Sequence, residues 1–158
     1  MFAFAGLMAA LMLAGCQSSK PPALMPRSPA PEAGLSGSLG RGTARLNERA
    51  ALSLVSTYRR GHGLPALAYD PTLMADAKAV TLNMVHTGRL ARHGAATSER
   101  FVDVAAGHDT LADAFSGWRY APASRAHMLN KNMHRFAMAA VYAPHSRYRV
   151  FWTMILAR

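Results

Sequence analysis

The sequence predicts an α+β domain in which helices pack on an antiparallel sheet. Two observations lead to this prediction. Apolar residues recur at helical spacing between residues 46 and 84, whereas residues 136–143 and 147–157 are rich in Val, Tyr, Phe, Trp and Ile. A turn signal at residues 144–146 separates these two runs, so we expect them to pair as a β-hairpin at the end of the chain.

The first helix is predicted to begin at Thr43, which has the side chain of an N-cap residue. Its apolar positions follow at four-residue spacing and lie on one face: Leu46, Ala50, Leu54 and Tyr58. Glycines at positions 61 and 63 end the helix.

The second helix has stronger boundary signals. Asp70 precedes Pro71, which places an acidic N-cap before a proline at the first helical position. The buried stripe then consists of Leu73, Ala77, Val80 and Met84. Gly88 ends this helix.

The middle of the chain is less regular. Residues 88–108 are rich in glycine, alanine and polar residues, with a short apolar stretch at 101–106. Asp109 is predicted to cap a third helix that Pro122 ends. A short helix is expected over residues 124–130.

The composition excludes several classes of protein. The chain has 158 residues and a single Cys, so it has no disulfide framework and no cysteine-based metal cage. Neither glycine-rich phosphate-binding motif is present, which argues against a nucleotide-dependent enzyme. No apolar run reaches the roughly 20 residues of a transmembrane helix, so a polytopic membrane protein is excluded.

The N-terminus has the pattern of a secretory signal. Residues 2–14 are almost wholly apolar, and the run ends in Leu13-Ala14-Gly15-Cys16. This tetrapeptide resembles a bacterial lipobox, which implies a signal peptide at residues 1–15 and acyl chains on Cys16 that anchor the protein in a bacterial membrane. The alternative is an ordinary signal peptide with a coincidental Cys. Because Gln17 and not Asp follows the Cys, the resemblance favours the outer membrane of a Gram-negative envelope.

Residues 16–41 are predicted to form a linker after the lipidated Cys. Five prolines lie between positions 21 and 31, and glycines follow at 34, 37 and 40. Proline stiffens a linker and glycine loosens it. The folded domain is therefore predicted to span residues 42–158.

An ordered series of short motifs along the domain resembles a known family. The series is Leu46-Asn47-Glu48-Arg49, Gly63-Leu64-Pro65-Ala66-Leu67, Asp70-Pro71-Thr72-Leu73, His93, Val104-Ala105-Ala106-Gly107, Ala114-Phe115-Ser116-Gly117-Trp118, Met128-Leu129 and Phe151-Trp152. It is similar to the CAP superfamily of cysteine-rich secretory, antigen 5 and pathogenesis-related proteins, and most similar to its bacterial lipoprotein-anchored type. The resemblance covers residues 44–157. It implies an α-β-α sandwich, in which helices flank an antiparallel sheet.

The resemblance also implies a polar cleft, which in this family holds two His and two acidic residues and in some members a divalent metal ion. The first cleft His falls on His93. The family's Glu-Asn pair falls on Val102 and Asp103, and a second His falls on Ser124, one helical turn before His127. Trp118 lies between these positions in sequence. Because valine binds no metal and serine binds zinc poorly, we expect no cofactor; the candidate ligands of a divalent metal are His93 and His127.

A serine-hydrolase arrangement is an alternative for the same residues. Ser124 and His127 lie three positions apart, so they share a helix face, and Asp103 could orient the imidazole. His93, Ser124 and His127 are therefore the candidate catalytic residues, although the chain has no GxSxG motif.

The domain is strongly basic. Residues 42–158 contain 15 Lys and Arg against 7 Asp and Glu, and the full chain has a formal net charge of +10. The predicted anion-binding surface consists of Arg119, Arg125, Lys131 and Arg135. Since the export signal argues against nucleic acid, the expected anionic partners are lipids or cell-wall polymers.

These observations together predict an envelope-anchored lipoprotein that binds an anionic or amphipathic envelope component and has no catalytic activity. The alternative is a metal-dependent or serine-type hydrolase acting on peptides or cell-wall material. A scaffold that only contacts other envelope proteins is a third interpretation. The oligomeric state does not follow from the sequence.

Overall fold

The computed structural model describes four stretches of the chain: residues 37–42, 44–90, 97 and 99–158. Cys16, the predicted signal peptide, the linker as far as residue 36 and His93 lie outside the described residues. Within these stretches, no helix has both the length and the apolar character that crossing a bilayer requires.

The described chain forms four α-helices, four strands and one turn of 3-10 helix. The 3-10 turn spans Leu39–Arg41. The helices are α1 (Glu48–Arg60), α2 (Pro71–Thr87), α3 (Leu111–Tyr120) and α4 (Pro122–Met128). The strands are β1 (Ala68–Tyr69), β2 (Arg100–Ala106), β3 (Arg135–Ala143) and β4 (Arg149–Ala157).

The four strands form one sheet in the order β1-β3-β4-β2. The predicted hairpin is its centre: β3 and β4 pair antiparallel, with Ala139 opposite Thr153. The β3–β4 and β2–β4 pairs are antiparallel, as predicted, whereas β1 pairs parallel with the start of β3. The sheet is therefore mixed.

Helices cover both faces of the sheet, as the α-β-α prediction requires. Side chains alternate along each strand, so Met138 faces the layer that contains α1 and α3, whereas its neighbours Ala137 and Ala139 face α2. Every residue of β4 after Arg149 is buried. A strand buried on both faces lies in the middle of three layers, which explains its near-continuous apolar sequence.

Helix boundaries agree with the sequence where the capping residue is unambiguous. Asp70 caps α2 by accepting the Leu73 N–H, and Gly88 ends the helix in a left-handed conformation with φ 66°. The predicted caps of α1 and α3 are wrong. Asn47 and Thr110 take these roles, because the side-chain oxygen of each accepts an N–H three residues ahead.

Substituting Asp70 with asparagine is expected to remove a pH-dependent contribution to the free energy of unfolding. The hydrogen bond from Arg135, followed by the N–H of Leu73, lowers the pKa of Asp70. Because the folded-state pKa is lowered, this contribution is complete above the unfolded value of about 3.9 and is lost as the pH falls through the folded value. Asparagine keeps the cap without the charge.

Urea unfolding of the wild type and of Asp70→Asn as a function of pH measures this effect. The wild type should be the more stable of the two at neutral pH, and the difference should close as the pH falls below about 3.9. A difference that is the same at neutral and acidic pH would show that the charge of Asp70 is not responsible.

Packing begins upstream of the predicted start of the domain at residue 42. Leu39 is buried in the core beside α1 and α3, and its N–H donates to the carbonyl of Asp109 over 2.8 Å. Composition alone assigned Leu39 to the linker, since it lies between glycines.

Candidate functional site

A buried carboxylate lies at the centre of the candidate site. Asp103 on β2 has no solvent exposure, 0% by relative area. Its Oδ1 accepts the hydroxyl of Ser124 at 2.7 Å. Nδ1 of His127 lies 3.1 Å from the same oxygen and 3.0 Å from Oδ2. A buried carboxylate requires such partners, because an unpaired charge in the interior is strongly unfavourable.

Two elements bring these groups together. Ser124 and His127 are one turn apart on α4, so both side chains point to the same side of that helix. Asp103 lies on the sheet face that also carries Phe101, because alternate residues of a strand share a face.

The imidazole of His127 is held between the carboxylate and an aromatic ring. It stacks on Phe101 with 4.1 Å between ring centroids and 9° between planes. Its side chain is 18% exposed. With Nδ1 donating to Asp103, a neutral ring leaves Nε2 as a hydrogen-bond acceptor. The arrangement can therefore orient one imidazole nitrogen toward a ligand.

The cluster does not have the geometry of a serine-hydrolase relay. In that mechanism the serine hydroxyl contacts Nε2 of the histidine, and the carboxylate contacts Nδ1. Here Ser124 donates to Asp103 itself, over 2.7 Å. Ser124 is also buried. A hydroxyl that donates to a carboxylate is not positioned to pass its proton to His127 Nε2.

The other predicted cleft residues lie apart from this cluster. Val102 is buried on the opposite face of the sheet, against α2. Trp118 is buried in the core beside α1 and α3, and within the described chain its indole N–H has no hydrogen-bond partner. The structure thus brings together three of the predicted residues: Asp103, Ser124 and His127.

A metal centre is not assembled by the residues that the structure describes. Among them, no group of three or more His, Cys, Asp or Glu side chains could hold a metal ion. Asp103 and His127 contact each other and would supply at most two ligands. The other metal candidate, His93, lies outside the described residues.

Comparison with known proteins gives the family. The model of the cysteine-rich secretory protein (CAP) family matches residues 52–156, which is more than half of the chain. The chain belongs to the CAP family. A search of curated proteins gives no match to the sequence.

Solved structures share the fold of this CAP domain at low sequence identity. An extracellular protein containing an SCP domain from Bacillus anthracis has a TM-score of 0.60 and 19% identity over 71% of this chain. This alignment covers 40% of the Bacillus chain, so the present chain matches less than half of its length. An outer surface protein from Borrelia burgdorferi has a TM-score of 0.61 and 12% identity, over 70% of this chain and 90% of that one.

The predicted anion-binding surface of the CAP domain is partly occupied by internal contacts. Arg135 pairs with Asp70 over 2.7 Å. Arg119 stacks on the ring of Tyr120, with its guanidinium carbon 4.8 Å from the ring centroid. Arg125 and Lys131 are exposed, and neither forms an ion pair with another described residue.

A groove of about 420 Å³ lies between the segment before α1, the middle of α2 and strand β3. Its lining is mostly apolar and includes Leu46, Leu82 and Tyr142. The charged residues that line it are Arg45, Lys78 and Glu48. This groove was not predictable from the sequence, because its lining residues come from three separate segments.

Sequence reasoning also missed Arg59, which is 0% exposed. Its guanidinium donates to the carbonyls of Met128 at 2.6 Å, of Asn130 at 2.9 Å and of Met133 at 2.9 Å, and its Nε donates to Pro65 at 3.0 Å. Burial lowers the pKa of this guanidinium. A signal was present: Arg59 follows Ala51 and Val55 at four-residue spacing on the buried face of α1.

Proposed function

We propose that this chain is an envelope-anchored CAP-domain lipoprotein, acylated at Cys16, that binds an anionic or amphipathic envelope component without catalysing a reaction. The domain lies in the periplasm or at the surface of a Gram-negative cell. Its likeness in fold to an extracellular protein and to an outer surface protein of other bacteria is consistent with this location.

The observation that carries the proposal is the distribution of charge. Carboxylates pair with four of the described Lys and Arg residues: Lys78 with Glu48, Arg100 with Asp76, Arg135 with Asp70 and Arg158 with Glu99. The remaining described cations outside the core have no carboxylate partner among the described residues: Arg41, Arg45, Arg49, Arg60, Arg89, Arg119, Arg125, Lys131, Arg147 and Arg149. Their charge is therefore available to an anionic partner, and arginine suits phosphate and carboxylate groups.

The groove beside β3 supports an amphipathic ligand. Its apolar lining would take a hydrocarbon or another apolar group, while Arg45 and Lys78 would lie near an anionic head. Lys78 also lies 3.7 Å from Glu48, so Arg45 is the cation more available to a ligand.

The absence of catalysis is inferred from the candidate site. The hydroxyl of Ser124 donates a hydrogen bond to Asp103, and Ser124 is buried, which does not favour the hydrolase alternative. By the family resemblance, Val102 and Ser124 also replace two of the four polar cleft residues. These two replacements remove polar side chains that acid–base or metal chemistry in the cleft would use.

Acyl labelling tests the anchor. The full chain and its Cys16→Ala variant are expressed in a Gram-negative host that is fed labelled palmitate. The wild type should carry the label and sediment with the envelope, and Cys16→Ala should carry none. Equal labelling of the two chains, or none in the wild type, would contradict acylation at Cys16.

A binding measurement tests the anionic partner separately. The full chain with Cys16→Ser, which removes the acylation site, is added to isolated envelopes at rising ionic strength. Binding through exposed arginines should weaken strongly between low salt and about 1 M salt, where the Debye length falls to about 3 Å. Binding that is absent at low salt, or unchanged by salt, would contradict the proposal.

A further inference from the structure

The N-terminal end of the domain packs against the turn of the β3–β4 hairpin. The guanidinium of Arg149 donates to the carbonyl of Gly40. Gly42 lies against the ring of Tyr142, so closely that an added Cβ would come within 2.6 Å of a ring carbon. Gly42 also has φ 73°, which favours glycine there. Two basic segments that are far apart in sequence therefore meet at one end of the sheet.

These segments place four exposed arginines together, which we call the hairpin face: Arg41, Arg45, Arg147 and Arg149. None of them pairs with a carboxylate among the described residues. Two carboxylates lie near these four arginines: Glu48, which pairs with Lys78, lines the same groove as Arg45, and the carboxylate of Asp109 lies against Gly40. The hairpin face therefore keeps a net positive charge.

The opposite end of the sheet differs. Arg100 and Arg135 both lie in register with Ala157, and Arg158 is the next residue along the chain. Each of these three arginines pairs with a carboxylate at 2.7–2.8 Å.

The two ends are far apart compared with the range of electrostatic interactions. The nine residues of β3 span about 27 Å, which is more than three Debye lengths of about 8 Å at physiological ionic strength. The pairing at one end therefore does not neutralise the charge at the other.

We infer that the hairpin face binds the anionic phospholipid headgroups of the membrane in which the protein is anchored. This inference rests on the proposed acylation of Cys16, because the chain that leads from Cys16 joins the domain at this same end, through Leu39. The four guanidiniums come from two segments and are exposed, which suits an extended anionic surface. Tethering raises the effective concentration of that surface, so a weak interaction suffices.

Vesicle sedimentation tests the inference. All chains are full length and carry Cys16→Ser, so that no acyl chain contributes. Vesicles of phosphatidylcholine alone measure the background binding, and equimolar phosphatidylcholine and phosphatidylglycerol supply the anionic surface. The triple variant Arg41→Gln, Arg45→Gln, Arg147→Gln removes three charges from the hairpin face and keeps Arg149, whose guanidinium contacts Gly40.

The matched control removes three exposed charges away from the hairpin face: Arg60→Gln, Arg125→Gln, Lys131→Gln. Two of them, Arg125 and Lys131, belong to the anion-binding surface predicted from the sequence, so the two triples decide which of the two surfaces binds the vesicles. Both triples have the same net charge, and circular dichroism shows whether each remains folded. The hairpin triple should lose about a hundredfold in affinity for the anionic vesicles, or about fivefold for each arginine. The control triple should lose less than fivefold.

Three outcomes would overturn the inference: equal losses in the two triples, a larger loss in the control, or wild-type binding that is no stronger to anionic than to neutral vesicles. Equal losses would mean that only total charge matters. Palmitate labelling of Cys16 reports separately on the proposed function, so a failure of the anchor and a failure of the hairpin face give different results.

Discussion

Replacing Arg59 with methionine is expected to lower the free energy of unfolding by about 4 kcal/mol or more, which is among the largest effects of single substitutions. Methionine fills much of the same space but donates no hydrogen bond. Four carbonyls would lose their donor, those of Pro65, Met128, Asn130 and Met133, and the hydrogen bonds to Met128 and Met133 are buried. Each buried acceptor left without a donor costs about 1–3 kcal/mol.

The adjacent residue provides a matched control. Arg60 is exposed on the same helix, and its guanidinium contacts Thr57. Arg60→Met should change the free energy of unfolding by less than about 0.5 kcal/mol. Urea unfolding at neutral pH measures both variants. If Arg59→Met and Arg60→Met had equal effects, the hydrogen bonds of Arg59 would not carry the stability assigned to them.

Arg59 also bears on the candidate site, because Met128 is the last residue of α4. By holding this carbonyl, Arg59 fixes the end of the helix that presents Ser124 and His127 to Asp103. Lysine keeps the charge but lacks the planar fork of donors. Arg59→Lys should therefore have a free energy of unfolding between those of Arg59→Met and the wild type.

Replacing Asp103 with alanine is expected to destabilise the domain by about 3 kcal/mol. The hydroxyl of Ser124 and Nδ1 of His127 would both lose their acceptor, and Ser124 is buried. Asp103→Asn should have a smaller effect, because the amide oxygen still accepts one of the two hydrogen bonds.

Asp109, an exposed aspartate three residues after the end of β2, serves as the control. Asp109→Asn should change the free energy of unfolding by less than about 0.5 kcal/mol. Nitrogen NMR of the His127 ring adds a structural readout, since Nδ1 should carry the proton in the wild type and lose that preference in Asp103→Ala. An unchanged ring tautomer together with unchanged stability would contradict the central role of Asp103.

The sequence predicted those elements whose signals are local. Asp70, Pro71 and Gly88 bound α2 as expected, because a cap, a proline and a left-handed glycine act on adjacent backbone. The β3–β4 hairpin was also predictable from its apolar strands and polar turn.

Elements that depend on distant partners were not predictable in the same way. β1 has two residues and exists because it pairs with the start of β3. β2 contains four small or charged residues, Arg100, Asp103, Ala105 and Ala106, and its strand conformation depends on pairing with β4. Strand propensity is weak where the pairing partner decides the conformation.

The same limit applies to the site. The alternation of a strand predicted that Asp103 and Val102 would point to opposite faces if the segment were a strand, and they do. That Asp103 would accept from both Ser124 and His127 required the packing of α4 on β2. The ion pair between Arg135 and Asp70 could not be predicted for a similar reason, since the two residues lie 65 positions apart in sequence.

The central claim is that this CAP domain acts by binding through its surface charge, and not by catalysing a reaction at the Asp103 cluster. Envelope binding by selected variants tests this claim most directly. Full chains with Cys16→Ser would be compared on isolated envelopes: the wild type, Ser124→Ala and the hairpin triple. The account predicts that Ser124→Ala binds to the envelopes like the wild type, whereas the hairpin triple no longer binds at moderate salt. Loss of binding by a folded Ser124→Ala chain, with retention by the hairpin triple, would contradict it.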